Sequence, residues 1–174
     1  MSVSCGNYIS AYAKLRQLRN TSSVVHVLKI PISVLVVIYK SNRDVLLIER
    51  ADRSGFWQSV TGSLDGPDED LALAAAREVF EETGIAVDQL LPGALRNLHH
   101  HIEYEIYPEW RFRYAPGVTK NTEHWFALEV PADTSVRLAP REHVAYEWLP
   151  FEAAAKKCFS RSNGEAILKL FSAQ

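Results

Sequence analysis

The fold is decided by residues 62–85, GSLDGPDEDLALAAAREVFEETGI, in which a glycine-containing acidic loop runs into an alanine-rich segment. Alanine, leucine, arginine and glutamate favour helix formation; Asp68 or Asp70 is suited to cap the start of the helix, and Gly84 is suited to end it. At about 100° per residue, one side of this helix would pack against the core through small and apolar side chains. That predicted packing side consists of Ala72, Ala76, Val79, Phe80 and Thr83.

The other side of the predicted helix carries carboxylates. Glu78 and Glu82 lie one turn apart, with Glu81 beside them. Like charges at this spacing repel each other, so the simplest interpretation is a solvated acidic face with an Arg77–Glu81 pair. The glycine loop and the doubled glutamate favour a more particular interpretation. Clustered carboxylates suit Mg²⁺ or Mn²⁺, which bind a few carboxylates together with substrate phosphates, so the stretch predicts phosphate chemistry.

The stretch resembles the Nudix box, in which Gly, five residues, Glu and seven residues precede Arg-Glu-apolar-any-Glu-Glu-any-Gly-apolar. Seven residues separate Glu69 from Arg77 in this chain. The positions that follow also fall in register: Glu78, Val79, Glu81, Glu82, Gly84 and Ile85. The chain departs from the pattern in the loop, where six residues rather than five lie between Gly62 and Glu69. A loop absorbs an extra residue more easily than a helix does.

This resemblance implies a hydrolase in which water attacks phosphorus of a nucleoside diphosphate linked to another group. It implies metal ligands at Glu78 and Glu82, with Glu81 as a helper or base. A further carboxylate outside the box often binds metal or acts as base in this family, and Glu142 is the candidate. Mg²⁺ is the expected ion, with Mn²⁺ as the alternative.

Four residues of the motif are interpreted as structural. Arg77 is expected to orient the carboxylates rather than touch substrate. Glu69 falls on the core side of the helical wheel, which indicates a supporting role. Gly62 and Gly84 bracket the loop and helix at positions where the box requires glycine.

The whole chain has the composition of a single soluble domain. It has 174 residues, of which 47% are hydrophobic and 23% charged, with a net charge of −2. No basic block argues for nucleic-acid binding. Cys5 and Cys158 are too few for a disulfide framework, and no apolar run approaches the ~18 residues of a membrane span. The amino terminus lacks the pattern of a signal peptide, so we expect a cytoplasmic protein, and nothing indicates an obligate protein partner.

The remaining segments predict strands before and after the box helix and two helices at the carboxyl-terminal end. Residues 1–24 form an extension, either a disordered tail or a short amphipathic helix, and residues 25–174 form one domain. Strands are predicted at 29–39, 45–49, 56–61, 98–107, 123–130 and 141–149, and further helices at 151–159 and 164–171. This order indicates an α/β fold, and the resemblance implies an α/β/α sandwich with a mixed sheet flanked by helices.

Two further segments leave alternatives open. The three consecutive histidines at 99–101 lie in a predicted strand, so at most His99 and His101 share a face and an ion, and exposed or hydrogen-bonding side chains are favoured. Residues 107–122 combine rings and cations, which suits either a flat heterocycle with phosphates or a well-packed irregular loop.

Several runs outside the box resemble the bacterial dihydroneopterin triphosphate diphosphatases. They are residues 29–39, 56–63, 113–119, 121–123 and 142–149. This resemblance implies removal of pyrophosphate from 7,8-dihydroneopterin triphosphate to leave the monophosphate, an early step of folate synthesis. It also implies substrate contacts at Lys29, Arg50, Thr61, Tyr104, Glu105, Ile106, Tyr107 and Ser160. The alternatives are hydrolysis of ordinary or damaged nucleoside triphosphates such as dATP, and a non-catalytic ligand-binding module.

Overall fold

The computed structural model describes residues 28–172, so the prediction for residues 1–24 lies outside the described residues. The strands are β1 (Ile32–Lys40), β2 (Asp44–Arg50), β3 (Trp57–Gln58), β4 (Val60–Ser63), β5 (Leu95–Glu105), β6 (Lys120–Val130) and β7 (His143–Pro150). The helices are α1 (Leu71–Thr83), α2 (Phe151–Lys157) and α3 (Arg161–Ser172). Short 3-10 turns occupy Val87–Gln89 and Pro108–Arg113.

The strands form one mixed sheet around β1. Nine residue pairs join β1 to β6 in parallel, and four join it to β4 antiparallel. The predicted hairpin between β1 and β2 is paired only at Tyr39 and Val45, because β2 continues against β3 and β7 instead. β5 closes the other side of the sheet by pairing antiparallel with β6.

Both faces of β1 are buried, as its run of β-branched residues predicts. Val34, Val36 and Ile38 belong to a core cluster that includes residues of α1. Leu35 and Val37 belong to a second cluster that includes residues of α2 and α3. The predicted α/β/α sandwich is therefore confirmed. Within residues 28–172, no helix combines the length and apolar character needed to span a bilayer.

The box helix begins and ends where its caps predict. The Asp70 side chain accepts hydrogen bonds from the backbone N–H groups of Ala72 and Leu73. Gly84 ends the helix with φ 70°, a left-handed conformation that glycine adopts without steric cost.

Two of the predicted strands are interrupted. The strand predicted at 56–61 is split into β3 and β4, because the Ser59 N–H donates to Asn163 Oδ1 of α3 at 2.7 Å. β5 begins earlier than predicted and carries an irregularity between Asn97 and His101, with His99 at φ 50°. Strict alternation through the three histidines is therefore wrong. His101 and His124 pair across the strands.

Candidate active site

A cavity of about 1340 Å³ collects most of the predicted site residues. Its lining includes Lys29, Arg50, Thr61, Gly62, Arg77, Glu78, Glu81, Glu82, Tyr104, Glu105, Tyr107, Glu142 and Ser160. Ile106, also predicted as a substrate contact, is 3% exposed and does not line the cavity. Its backbone N–H donates to the Thr119 carbonyl and its carbonyl accepts from Arg111, so only its neighbours in the sequence reach the cavity.

The box helix packs differently from the predicted wheel. Ala72 is exposed, Phe80 is half-buried, and the buried residues are Ala74, Ala75, Val79, Glu82 and Thr83. The separation into an apolar packing side and an outward carboxylate side is therefore wrong. Glu82 belongs to the buried face, where it meets the start of β7, and Glu78 is pressed against β4. A helix wheel cannot show this, because it treats every direction away from the core as solvent.

Arg77 holds the loop and the helix together. Its Nε donates to Glu69 Oε1 at 2.9 Å, its Nη1 to Glu78 Oε1 at 2.6 Å, and its Nη2 to the Ser63 carbonyl at 3.0 Å. The Glu69 carboxylate also accepts from the Asp65 N–H at 2.6 Å. The predicted core-side position of Glu69 is wrong, since this residue precedes Asp70, the helix cap, and its partners are the loop and Arg77.

The lack of a side chain at Gly62 leaves room for the Glu78 carboxylate. A Cβ atom built at Gly62 would lie 1.8 Å from Cδ of Glu78 and 2.0 Å from its Oε1. Any side chain at position 62 would therefore occupy the space of the Glu78 carboxylate. The extra residue of the loop falls farther along, where the Glu69 N–H donates to the Gly66 carbonyl and a Cβ at Gly66 would meet nothing within 4 Å.

A second group of donors forms around Glu82. One ligand atom each of Glu82, Glu142 and His143 lies within 4.8 Å of the others. The segment before β7 brings them together, because the Arg137 N–H donates to the Thr83 carbonyl and the Ala139 N–H to the Glu82 carbonyl. Glu142 is exposed in the turn just before β7, close to its predicted position.

These donors fit a divalent cation. Glu82 Oε2 and both ring nitrogens of His143 are buried and have no hydrogen-bond partner among residues 28–172, although Glu82 Oε2 and His143 Nε2 are 3.4 Å apart. Buried polar atoms are seldom left unpaired, and a carboxylate–imidazole group of this kind commonly binds metal. Glu78 lies outside the group of three and is directed to Arg77 instead.

The site holds its carboxylates in unfavourable surroundings. Burial raises the pKa of Glu78 to about 8, although the neighbouring Arg77 works in the opposite direction. Burial also raises the pKa of Glu82, against the stabilising effect of His143. Concentrated negative charge at low solvent exposure is stabilised by cations, which is the electrostatic condition of a metal site.

Cationic side chains occupy the same cavity. Burial lowers the pKa of Lys29, with a further contribution from Arg113, and Glu78 and Glu82 counteract it. The Lys29 N–H donates to the Arg113 carbonyl at 2.7 Å, so the two cations are neighbours. Arg50 is held by Asp52 through two bonds of 2.8 and 2.6 Å. The carboxylates and these cations together suit a metal-bound polyphosphate.

Comparison with known proteins shows the family of this chain. The family model described as NUDIX domain matches residues 29–170. The chain belongs to the Nudix family. Among Nudix relatives, the dihydroneopterin triphosphate diphosphatase of Escherichia coli (strain K12) is 46% identical over 144 residues, which are 81% of this chain and 92% of that protein. The protein of the same name from Haemophilus influenzae is 40% identical over 138 residues, 79% of this chain and 85% of the relative.

A solved Nudix structure shows the same architecture. The E. coli dihydroneopterin triphosphate pyrophosphohydrolase superposes with a TM-score of 0.76 at 44% identity, and the match covers 85% of this chain and 99% of that one. This chain is accordingly a Nudix hydrolase with a mixed sheet flanked by helices.

His143 and Glu123 are among the cavity residues that were not predicted from the sequence. His143 follows Glu142 directly, so its position next to a predicted ligand was a usable signal. Glu123 is a buried carboxylate of β6 that lines the cavity. It lies in a predicted strand and in the run 121–123 that resembles the dihydroneopterin triphosphate diphosphatases, but neither signal relates it to the box.

Proposed function

We propose that this Nudix hydrolase removes pyrophosphate from 7,8-dihydroneopterin triphosphate and leaves the monophosphate, using Mg²⁺ in the cytoplasm. One observation carries the proposal: the box carboxylates, Lys29, Arg50 and aromatic side chains such as Tyr104 and Tyr107 all line a single cavity. The identity to two relatives named dihydroneopterin triphosphate diphosphatase, extending well beyond the box, supports the choice of substrate.

The carboxylates of Glu78, Glu82 and Glu142 are the proposed ligands, and the donor group around Glu82 supports two of them. A bound divalent ion would neutralise charge on the phosphate oxygens and lower the pKa of the attacking water. Arg77 keeps the Glu78 carboxylate in place through its 2.6 Å bond. Glu81 lines the same cavity as Arg77 and Glu78, and it is the proposed helper or base that takes a proton from the water.

Lys29 and Arg50 would hold the polyphosphate. Both line the cavity close enough to the carboxylates that Glu82 affects the pKa of each. A cation beside a phosphate oxygen compensates its charge while the bond to the leaving pyrophosphate breaks. Thr61, Tyr104, Glu105, Tyr107 and Ser160 line other parts of the cavity and are the proposed contacts to the rest of the substrate.

The test is pyrophosphate release from 7,8-dihydroneopterin triphosphate with Mg²⁺, beside common nucleoside triphosphates including dATP at matched concentration. We expect a clear preference for the pterin that is lost when a chelator removes the ion. Preference for a nucleotide would contradict the pterin as substrate but would still agree with hydrolase activity. Absence of release from every substrate would favour a non-catalytic binding module.

A further inference from the structure

Glu123 is a buried carboxylate on the cavity wall without a cationic partner. It is 4% exposed, and its Oε1 accepts a hydrogen bond from Trp125 Nε1 at 3.2 Å. The Ser162 hydroxyl works to lower the pKa of the Glu123 carboxyl, but burial outweighs it and raises that pKa. Among residues 28–172, no lysine or arginine forms an ion pair with it. Buried carboxylates are rarely left unpaired, because their desolvation is costly.

Glu123 stands apart from the proposed phosphate site. It is not part of the metal-donor group of Glu82, Glu142 and His143. Glu82 is among the main charges that influence the pKa of both Lys29 and Arg50, whereas Glu123 is not among the main charges for either. Phosphate oxygens would be repelled by a carboxylate that no cation compensates. The portion of a ligand next to Glu123 is therefore not the triphosphate.

The strand register surrounds Glu123 with neutral side chains. Ser33 of β1 and Ile102 of β5 are its direct partners across the sheet, and Tyr104 is paired with Asn121. Asn121 Nδ2 donates to Ser33 Oγ at 2.7 Å, and both side chains lie near the Tyr104 hydroxyl. These side chains all line the cavity. They form a wall of neutral polar and apolar groups around one carboxylate.

An aromatic ring lies on the α3 side of this wall. Phe159 is 47% exposed and lines the cavity, and its ring stacks on Phe56 with centroids 3.5 Å apart. A flat heterocycle gains stabilisation from an aromatic face and needs a polar group at its edge to fix its orientation. Glu123 is a polar group suited to that edge.

We propose that Glu123 reads the amino-substituted edge of the substrate's heterocycle by accepting N–H hydrogen bonds from the exocyclic amino group. This inference rests on the proposed function, whose pterin carries a 2-amino group beside a ring N–H. An ionised carboxylate has about four acceptor positions, so Trp125 and Ser162 leave room for such donors. A carbonyl oxygen in place of the amino group would direct lone pairs at the carboxylate and be repelled. Glu123 thereby selects amino-substituted over oxo-substituted rings.

Matched ligand pairs test this selection. 7,8-Dihydroneopterin is compared with its analogue in which oxygen replaces the 2-amino group, by quenching of tryptophan fluorescence without metal. Among nucleotides, dATP is compared with dITP, which has an oxo group in place of the 6-amino group, by KM and kcat with Mg²⁺. Wild type, Glu123→Gln and Glu129→Gln are measured in parallel. Glu129 is the control, because it lies on the same strand, is exposed and does not line the cavity.

We expect wild type and Glu129→Gln to prefer the amino-substituted ligand by about 10- to 100-fold, the range for a hydrogen bond to a charged group. Glu123→Gln should reduce this preference to about threefold or less, measured as the ratios of Kd and of KM within each pair, because an amide neither attracts donors nor repels carbonyls as strongly. Equal wild-type affinity for both members of each pair would overturn the proposal, and this comparison does not depend on how the variant folds. A preference that survives in Glu123→Gln, or an equal loss for both ligands, would assign Glu123 a merely structural role.

The same measurements separate this inference from the proposed function. If the enzyme hydrolyses dATP but not the pterin triphosphate, the proposed substrate is wrong, and the dATP–dITP pair alone decides the role of Glu123. If the pterin triphosphate is hydrolysed normally and Glu123→Gln retains the amino preference, only the role of Glu123 is wrong.

Discussion

At the scale of single residues, the function depends on carboxylates that the fold keeps away from water. Glu82 is 4% exposed and has an oxygen without a hydrogen-bond partner beside His143. Burial raises its pKa, which means that the folded protein without metal is destabilised by the ionised form at neutral pH. Such a residue is kept for what it binds rather than for the stability of the fold.

Glu82→Gln should reduce metal-dependent turnover by at least about 100-fold while leaving the fold intact, because it removes a proposed ligand. Thermal stability without metal should be equal or higher, since the buried charge is lost. Pyrophosphate release, Mn²⁺ titration and a melting curve measure these effects. Glu152→Gln, an exposed position on α2, is the control. Near-normal turnover in Glu82→Gln would contradict the metal assignment.

Cys158 is a partly buried group outside the site's chemistry. Burial raises the pKa of its thiol to about 12. In a Cys5→Ser background, its reaction with a thiol reagent near pH 8.5 should be about 1000-fold slower in the native state than in denaturant, because the thiolate is the reactive form. Because the folded protein holds the thiol proton more tightly than the unfolded chain does, the contribution of Cys158 to the free energy of unfolding is complete at neutral pH. It declines as the pH rises above about 9. Rapid labelling of native protein would show that the thiol is accessible and ionised.

At the scale of elements, the loop between β4 and α1 positions the box. Arg77 of the helix donates hydrogen bonds to Glu69 and to the Ser63 carbonyl, and Glu69 accepts a hydrogen bond from the Asp65 N–H. Gly62 leaves the space that the Glu78 carboxylate fills. The geometry of the proposed ligands is therefore a property of the loop and helix together.

Gly62→Ala should weaken Mn²⁺ binding and turnover by about 10- to 100-fold, because its Cβ would displace Glu78. Gly66→Ala in the same loop is the matched control, since a Cβ atom at position 66 would meet nothing within 4 Å. Metal titration and steady-state kinetics compare the two variants. Equal metal binding and turnover in the two variants would mean that neither property depends on the present position of the Glu78 carboxylate.

At the scale of the whole molecule, the β1–β6 pairing separates two cores and leaves a cavity at their common end. One core contains α1, the other contains α2 and α3, and residues from both sides of the sheet line the cavity. The match to the solved E. coli relative covers 99% of that chain with 85% of this one, and we propose that residues 25–174 are sufficient to form the domain.

A protein that begins at residue 25 should therefore keep the melting temperature, kcat and KM of the full chain. The family model begins at residue 29, and Lys29 is the first of the proposed substrate contacts. Calorimetry and pyrophosphate assays on the two proteins make the comparison. A lower melting temperature or a higher KM in the shorter protein would give the extension a role in the domain.

The amino-acid sequence alone determined the box helix, its end at Gly84, the buried central strand and the carboxylates of the site, and it limited the amino-terminal cap to Asp68 or Asp70. These features depend on neighbours within a few positions, where propensity, periodicity and spacing act directly. Only the tertiary structure decided that Glu82 is buried, that His143 joins it and that Glu123 lies uncompensated in the same cavity. Those placements arise from the register of strands far apart in the chain, and from packing that brings a helix, a loop and a sheet edge together. Local patterns carry no information about such contacts, because the energy that selects them is gained only when the whole core is assembled.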